Sequence, residues 1–304
     1  MASDAQTAFD HKSLVASLPA AVRADLLARS NRAGLWHLAR HWGLLALFGG
    51  MVAAGWPLWQ WAVLPFSALL IFNFTLLHEC THQTPFRSPW LSEAVGRIAG
   101  ALVGLPFLWF RYFHLAHHRF TQDPARDPEL RHGEPETWRV YLWHLSGIPV
   151  WVGQIKTLFR AASGRELEDF VPRKAVRKIR LEAALLLALY GAVLLFSLYV
   201  SAIFLRLWLL PLLLGQPLLR LYLLAEHGRC PLVANMLENS RTTFTNRFIR
   251  FLAWNMPYHA EHHSMPMVPF HKLAALNRLA APHLRQVSAG YRAFHGDYIR
   301  HLRR

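Results

Sequence analysis

The chain has 304 residues, 53% of them hydrophobic, with 12 Trp and 19 Phe. That share lies above the roughly 45–50% usual for soluble domains. The two cysteines, Cys80 and Cys230, exclude a disulfide framework and a Cys-x-x-Cys metal knuckle. The formal charge is +15, from 33 Lys+Arg against 18 Asp+Glu, and suits either nucleic acid or an anionic membrane face. The dense basic tract "RKAVRKIR", residues 173–180, directly precedes a long apolar run, which favours the membrane and argues against nucleic acid.

Residues 1–33 are polar, with a short helical pattern at 14–28, and read as a cytosolic lead-in without the apolar core of a signal peptide. Residues 42–78 carry no charged side chain over 37 positions. About 20 apolar residues make one span, so this run predicts two. The first starts near Leu35 with Arg40 snorkelling to the interface. The turn falls at "AGWP", residues 54–57, and the second span ends at His78. The stretch "IAGALVGLPFLWF", residues 98–110, is too short to cross and is interrupted by Pro106, so it is expected to be interfacial or re-entrant. In the mixed segment 119–180, the apolar patch "YLWHLSGIPVWVG" is expected on the membrane surface. Residues 183–205 predict a third span, and 207–225 a fourth.

Four spans in two hairpins put both termini and the middle loop on one side. Residues 83–180 carry 15 basic groups and 228–304 carry 11, whereas the two outer turns hold only Arg206. The positive-inside tendency makes that shared side cytosolic. The fold expected is all-α and integral to the membrane: a single domain over 1–304, with a lead-in (1–33), hairpins plus middle loop (34–227) and a tail (228–304) that helps build a cytosolic cap.

Histidine clusters fall on that side. "HECTH" places His78 and His82 at i and i+4, on one helix face. "HLAHH" holds His114, His117 and His118; "HAEHH" holds His259, His262 and His263; His227 ends the fourth span. In each H-x-x-H-H the outer pair shares a face and the third histidine is turned about 100° away, where it can reach a second ion. Nine imidazoles exceed the places around one metal and suit two, and a thiolate-free nitrogen site suits iron, zinc or copper.

In order and interval, "HECTH", "HLAHH" and "HAEHH" resemble the three histidine boxes of the integral-membrane fatty acid desaturase and hydroxylase superfamily, and the resemblance runs from about residue 35 to 279. It implies a non-haem di-iron centre on the cytosolic face, ligated by His78, His82, His114, His117, His118, His259, His262 and His263, with His227 as a ninth ligand. It also implies dioxygen-dependent oxidation of an aliphatic chain, most simply a fatty acyl lipid: loss of two hydrogens gives an alkene, return of hydroxyl an alcohol. A carotenoid, an alkane or another lipid-like molecule is the alternative substrate. No "HPGG" module or rubredoxin-like Cys pair is present, so the expected electron donor is a separate ferredoxin or rubredoxin docking on the basic face. The expected location is the cell inner membrane.

Other readings attach to the same residues. "HECTH" also fits the H-E-x-x-H zinc protease helix with Glu79 as base, but that leaves both H-x-x-H-H clusters and His227 without a role. A metal transporter would want ionisable groups at mid-membrane, where the spans hold few. Glu79, Glu226 and Glu261 stand beside ligand positions and either orient imidazoles or are solvated. "HLARH", with His37 and His41, is read as interfacial and structural, Arg220 as snorkelling rather than meeting a substrate head group, and "LPFLWFRYF" as an interfacial belt rather than a tunnel lining.

Overall fold

The uncharged run folds as the two helices its length demands. In the computed structural model, which describes residues 9–304, helix Asn31–Ala53 is followed by a turn and by helix Trp59–Ile71. The latter continues after a break at Phe72 as helix Asn73–Thr81. The break has a local cause: the Asn73 amide donates to the carbonyls of Leu69 and Leu70, and Trp42 Nε1 donates to Asn73 Oδ1. Among the described residues, three helical stretches are long and apolar enough to cross a membrane: Trp59–Thr81, Arg173–Tyr199 and Leu205–His227. Helix Asn31–Ala53 has the length, 23 residues or about 34 Å at 1.5 Å each. Its Arg32, His37, Arg40 and His41 leave it without an apolar stretch as long as those of the other three.

Two boundaries differ from expectation. The third long helix runs Arg173–Tyr199, so it takes the basic tract into its first turns and ends six residues before the expected 205. The fourth begins as a π-helical turn, Leu205–Leu209, and continues as Leu210–His227. Nor do these two form a closely packed hairpin. Leu210–His227 lies mainly on Trp59–Ile71, whereas Arg173–Tyr199 lies mainly on Ile148–Ala162. Beside Arg173–Tyr199 and the π-helical turn remains an apolar groove of about 800 Å³ bordered by Trp42, Gly49, Phe66, Leu102, Tyr190 and Trp208. The outer side of Arg173–Tyr199 exposes Leu181, Leu185, Leu189, Leu195 and Leu198, an apolar stripe that suits lipid better than water.

Helices Pro89–Val103 and Phe107–Phe120 are bent by 97°. Gly104 adopts a left-handed φ of 81°, and Pro106 cannot extend the preceding helix. The bend sends the "HLAHH" helix back toward the "HECTH" end. The expected aromatic belt is instead core: Phe107, Leu108, Trp109 and Phe110 are buried. The patch expected at the membrane surface forms helices Trp138–Leu145 and Ile148–Ala162, which expose Leu142, Trp143, Val152, Ile155 and Phe159.

The lead-in expected as one helix is two, His11–Ser17 and Ala20–Leu26, divided at Pro19; residues 1–8 of the lead-in lie outside the described residues. Lead-in, middle segment and tail pack together. His11 N donates to Asn235 Oδ1, Lys272 pairs with Asp25 at 2.7 Å, and Trp138 N donates to Arg303 O. The all-α expectation has one small exception: Thr242–Thr243 pairs in parallel with Val287–Ser288.

Close approach of Leu210–His227 to Trp59–Ile71 depends on Gly215, where an added Cβ would lie 2.6 Å from Ser67 O and 2.8 Å from Ile71 Cβ. We expect Gly215→Val to cost about 1–3 kcal/mol through overpacking and to lower the apparent Tm in detergent by several degrees, read by a thermal-shift assay.

Candidate metal centre

Four separate stretches of chain bring nine histidines together. Helix Asn73–Thr81 and its cap supply His78 and His82; helix Phe107–Phe120 supplies His114, His117 and His118; helix Leu210–His227 ends on His227; helix His259–Ser264 supplies His259, His262 and His263. The first three stretches are each followed closely by a non-glycine residue in the left-handed region, Gln83, Gln122 and Arg229, with φ of 57°, 62° and 56°, and Asn255, with φ of 59°, lies four residues before His259. Such residues cost roughly 1–2 kcal/mol each, and they stop or start the helix at the ligand-bearing turn.

The ligand atoms sort into two groups. His78, His82, His114, His118 and His262 each bring one ring nitrogen within 4.8 Å of the others, and so do His117, His227 and His263. His259 joins the second group, its Nε2 lying 2.9 Å from His227 Nε2. The groups share a wall, where His118 and His263 stack with centroids 4.1 Å apart. Within them, Nε2–Nε2 distances are 2.9 Å for His82–His114, 3.2 Å for His117–His227 and 3.1 Å for His118–His262. Two nitrogens about 2.1 Å from one ion and at right angles to it stand about 3 Å apart. The spacing therefore fits adjacent ligands of one ion.

In the second group the back of each ring determines what its front offers. His117 Nδ1 donates to Asp127 at 2.9 and 3.1 Å, and His227 Nδ1 donates to Asn239 O at 3.0 Å. Thr121 gives its hydroxyl proton to His117 O and accepts from His263 Nδ1 at 3.2 Å. With Nδ1 protonated, Nε2 carries a lone pair toward the centre. Arg241 caps the end of helix Leu210–His227 by donating to Ala225 O and Gly228 O, which fixes where His227 stands.

Burial, reinforced by neighbouring histidines, holds His259, His262 and His263 well below the ordinary histidine pKa. Burial and then Arg111 push His82 down to about 3. Groups held that low are neutral at physiological pH, which is the metal-binding form. Burial works to raise the Asp127 carboxyl, but the hydrogen bond and charge of His117 and two backbone amides outweigh it and keep it ionised. His78 has both ring nitrogens buried without a hydrogen-bond partner, and His263 Nε2 is likewise orphaned. Atoms in that condition fit a metal ion as their partner.

Of the three carboxylates read as either orienting imidazoles or solvated, Glu226 stands behind a ring, 3.3 Å from His259 Nδ1, whereas Glu79 and Glu261 are buried and do neither. Glu79 Oε2 accepts from Thr84 Oγ1 at 2.9 Å and Phe270 N at 3.3 Å, and Glu261 accepts from Thr242 and Asn277. These two face the protein scaffold, and Glu79 is not placed as a protease base would be. The orienting carboxylate that sequence reasoning missed is Asp127, in "TQDPARDPEL", whose partner lies ten residues back on another element. Cys80 is buried and free, and Arg220, expected to snorkel, is partly buried within range of the charges of Glu129 and Glu226. His37 and His41 stay apart from both groups. They are buried rather than interfacial: His37 donates to Phe251 O and His41 to Leu69 O, while Trp254 Nε1 donates to His41 Nδ1.

Two mutational outcomes follow. Asp127→Asn removes the charge and one of the two oxygens that accept from His117 Nδ1 and the amides of Gln122 and Glu129, and is expected to weaken metal binding about 10–100-fold, measured by metal titration against a competing chelator. His263→Ala is expected to lose metal and activity, whereas His37→Ala keeps its metal content and loses about 1–3 kcal/mol of stability from the Phe251 carbonyl left without its donor, seen by elemental analysis beside a thermal-shift assay.

Comparison with known proteins adds an independent line. Residues 53–295 match the family described as fatty acid desaturase. The chain is 23% identical over 226 residues to a sphingolipid delta(4)-desaturase DES1-like protein of Oryza sativa subsp. japonica, covering 71% of this chain and 62% of that protein. It is 23% identical over 237 residues to the sphingolipid delta(4)-desaturase DES1 of Mus musculus, covering 73% and 67%. A 109-residue stretch, 34% of this chain and 27% of its counterpart, is 27% identical to the delta(12) fatty acid desaturase FAD2 of Calendula officinalis. With the family matched over most of its length and the histidine clusters of that family drawn into one centre, the chain belongs to the fatty acid desaturase family, within the membrane desaturase and hydroxylase superfamily.

Proposed function

We propose that this protein is an oxidoreductase that uses dioxygen and two irons to oxidise the aliphatic chain of a membrane lipid, with electrons from a separate donor protein. The observation that carries the reading is the convergence of nine histidines into a group of five and a group of four. When bound, the irons supply the dioxygen chemistry that lets an unactivated C–H bond react. The protein's own part is positional. Asp127, Asn239 and Thr121 hold three rings with Nε2 forward, and burial keeps His259, His262 and His263 neutral. The apolar groove suits a hydrocarbon chain. One of its lining residues, Leu70, stands eight positions before His78, roughly 12 Å along the helix.

The relatives are named desaturases, two of them for sphingolipids and one for a fatty acid, which supports desaturation over hydroxylation. We assign Asn31–Ala53 as a fourth span. Its length, its packing against Trp59–Ile71 and the joining of lead-in, middle segment and tail support a layout with both termini and the metal centre on one side, the cytosolic side by its basic charge. That face would receive an acidic ferredoxin or rubredoxin.

The purified protein should hold close to two irons per chain by elemental analysis. Cells making the active protein should accumulate an unsaturated or hydroxylated lipid absent from cells making His263→Ala, read by mass spectrometry. One zinc and no iron, with an unchanged lipid profile, would overturn the assignment.

A further inference from the structure

The two metal groups are unequal. The first offers five imidazoles and the second four, and a carboxylate faces the second one. Glu129 Oε2 lies 3.7 Å from His117 Nε2, the same nitrogen that stands 3.2 Å from His227 Nε2. This is the front of the ring, since Asp127 holds the back. We propose that Glu129 is a further protein ligand of the metal held by His117, His227, His259 and His263, making that position a mixed nitrogen and carboxylate site beside an all-imidazole one. The inference rests on the two-metal reading above.

Three observations carry it. The distance fits: donors about 2.1 Å from one ion and 3.7 Å apart subtend roughly 120° at it. The residue is placed by design of the backbone. Asp127, already tied to His117 and to Gln122 N, also caps the 3₁₀ turn Pro128–His132 by accepting from Glu129 N at 2.9 Å. One aspartate thus sets the His117 ring and the root of the Glu129 side chain together. Glu129 also lacks another occupation. Among the described residues it forms no ion pair with a lysine or arginine within 4.0 Å, Arg220 being in electrostatic range without contact. Its side chain keeps 39% of its surface accessible, so an ion or water reaches it. The other nearby carboxylate, Glu226, faces His259 Nδ1, the nitrogen other than the one His259 turns toward His227. It is therefore placed to orient a ring rather than to bind metal.

A carboxylate donor adds one negative charge to a site otherwise built from neutral ligands. It stabilises the more oxidised metal at that position relative to its neighbour, so the two irons are chemically distinct.

The test uses full-length wild type, Glu129→Gln and Glu129→Ala purified in detergent from cells grown on ⁵⁷Fe. It reads iron per chain by elemental analysis and iron environments by Mössbauer spectroscopy. Wild type should hold two irons in two inequivalent environments. Each variant should either fall toward one iron per chain or keep two with a single environment altered, the all-imidazole signal being unchanged. Either variant holding two irons with both environments as in wild type overturns the proposal and leaves the functional assignment standing. A wild type without iron overturns that assignment, and this proposal with it.

Discussion

Nine imidazoles crowded inside a protein, nitrogen against nitrogen, repel or go unpaired unless a cation satisfies them. A buried polar atom without a partner costs about 1–3 kcal/mol, and both ring nitrogens of His78 and Nε2 of His263 are in that condition. The rest of the fold makes sense as the frame that holds this arrangement. The break at Phe72, the right-angle bend at Gly104–Pro106 and the left-handed residues at Gln83, Gln122, Arg229 and Asn255 are local departures from easy backbone geometry. They cluster where ligand-bearing helices must stop or turn, the pattern expected when strain is tolerated for the sake of a site.

The frame works because it separates two environments. The long helices carry leucine-rich outer faces that suit hydrocarbon. The polar segments at their ends close over the histidines and tie to one another, as at His11–Asn235 and Trp138–Arg303. Hydrogen bonds from Asp127, Asn239 and Thr121 then restrict how three of the rings can rotate. An imidazole with a committed Nδ1 proton is a preorganised ligand, and preorganisation lowers the entropy lost on binding.

Much of this was legible in the residues. Spacings of three and four with an adjacent third histidine define which rings share a face, so the nine candidates could be named from sequence and the turn near Ala54 placed by length. The bend within the 98–110 stretch is legible from Pro106, which interrupts it. Less legible were features that depend on partners distant in the chain or on packing. Asp127 looks like any loop aspartate until the turn after Phe107–Phe120 folds it back onto His117. Glu79 and Glu261 adjoin ligands in sequence, yet a helix turns neighbours about 100° apart, so adjacency sent them toward Thr84 and Thr242 instead. Periodicity could not tell that Arg173–Tyr199 would lean on Ile148–Ala162 and leave a groove beside it, because every face of that helix is apolar enough for several neighbours.

The distribution of the ligands has a consequence for how the protein is made. Each of the two groups takes at least one histidine from helix His259–Ser264, which follows the other histidine clusters in the chain. A chain emerging from the ribosome therefore displays His78, His82, His114, His117, His118 and His227 long before either set can close. For that interval the nascent bundle carries unfinished chelating surfaces, open to whichever divalent ion is most abundant. The third histidine box, last of these stretches in chain order, is the piece that closes both sets.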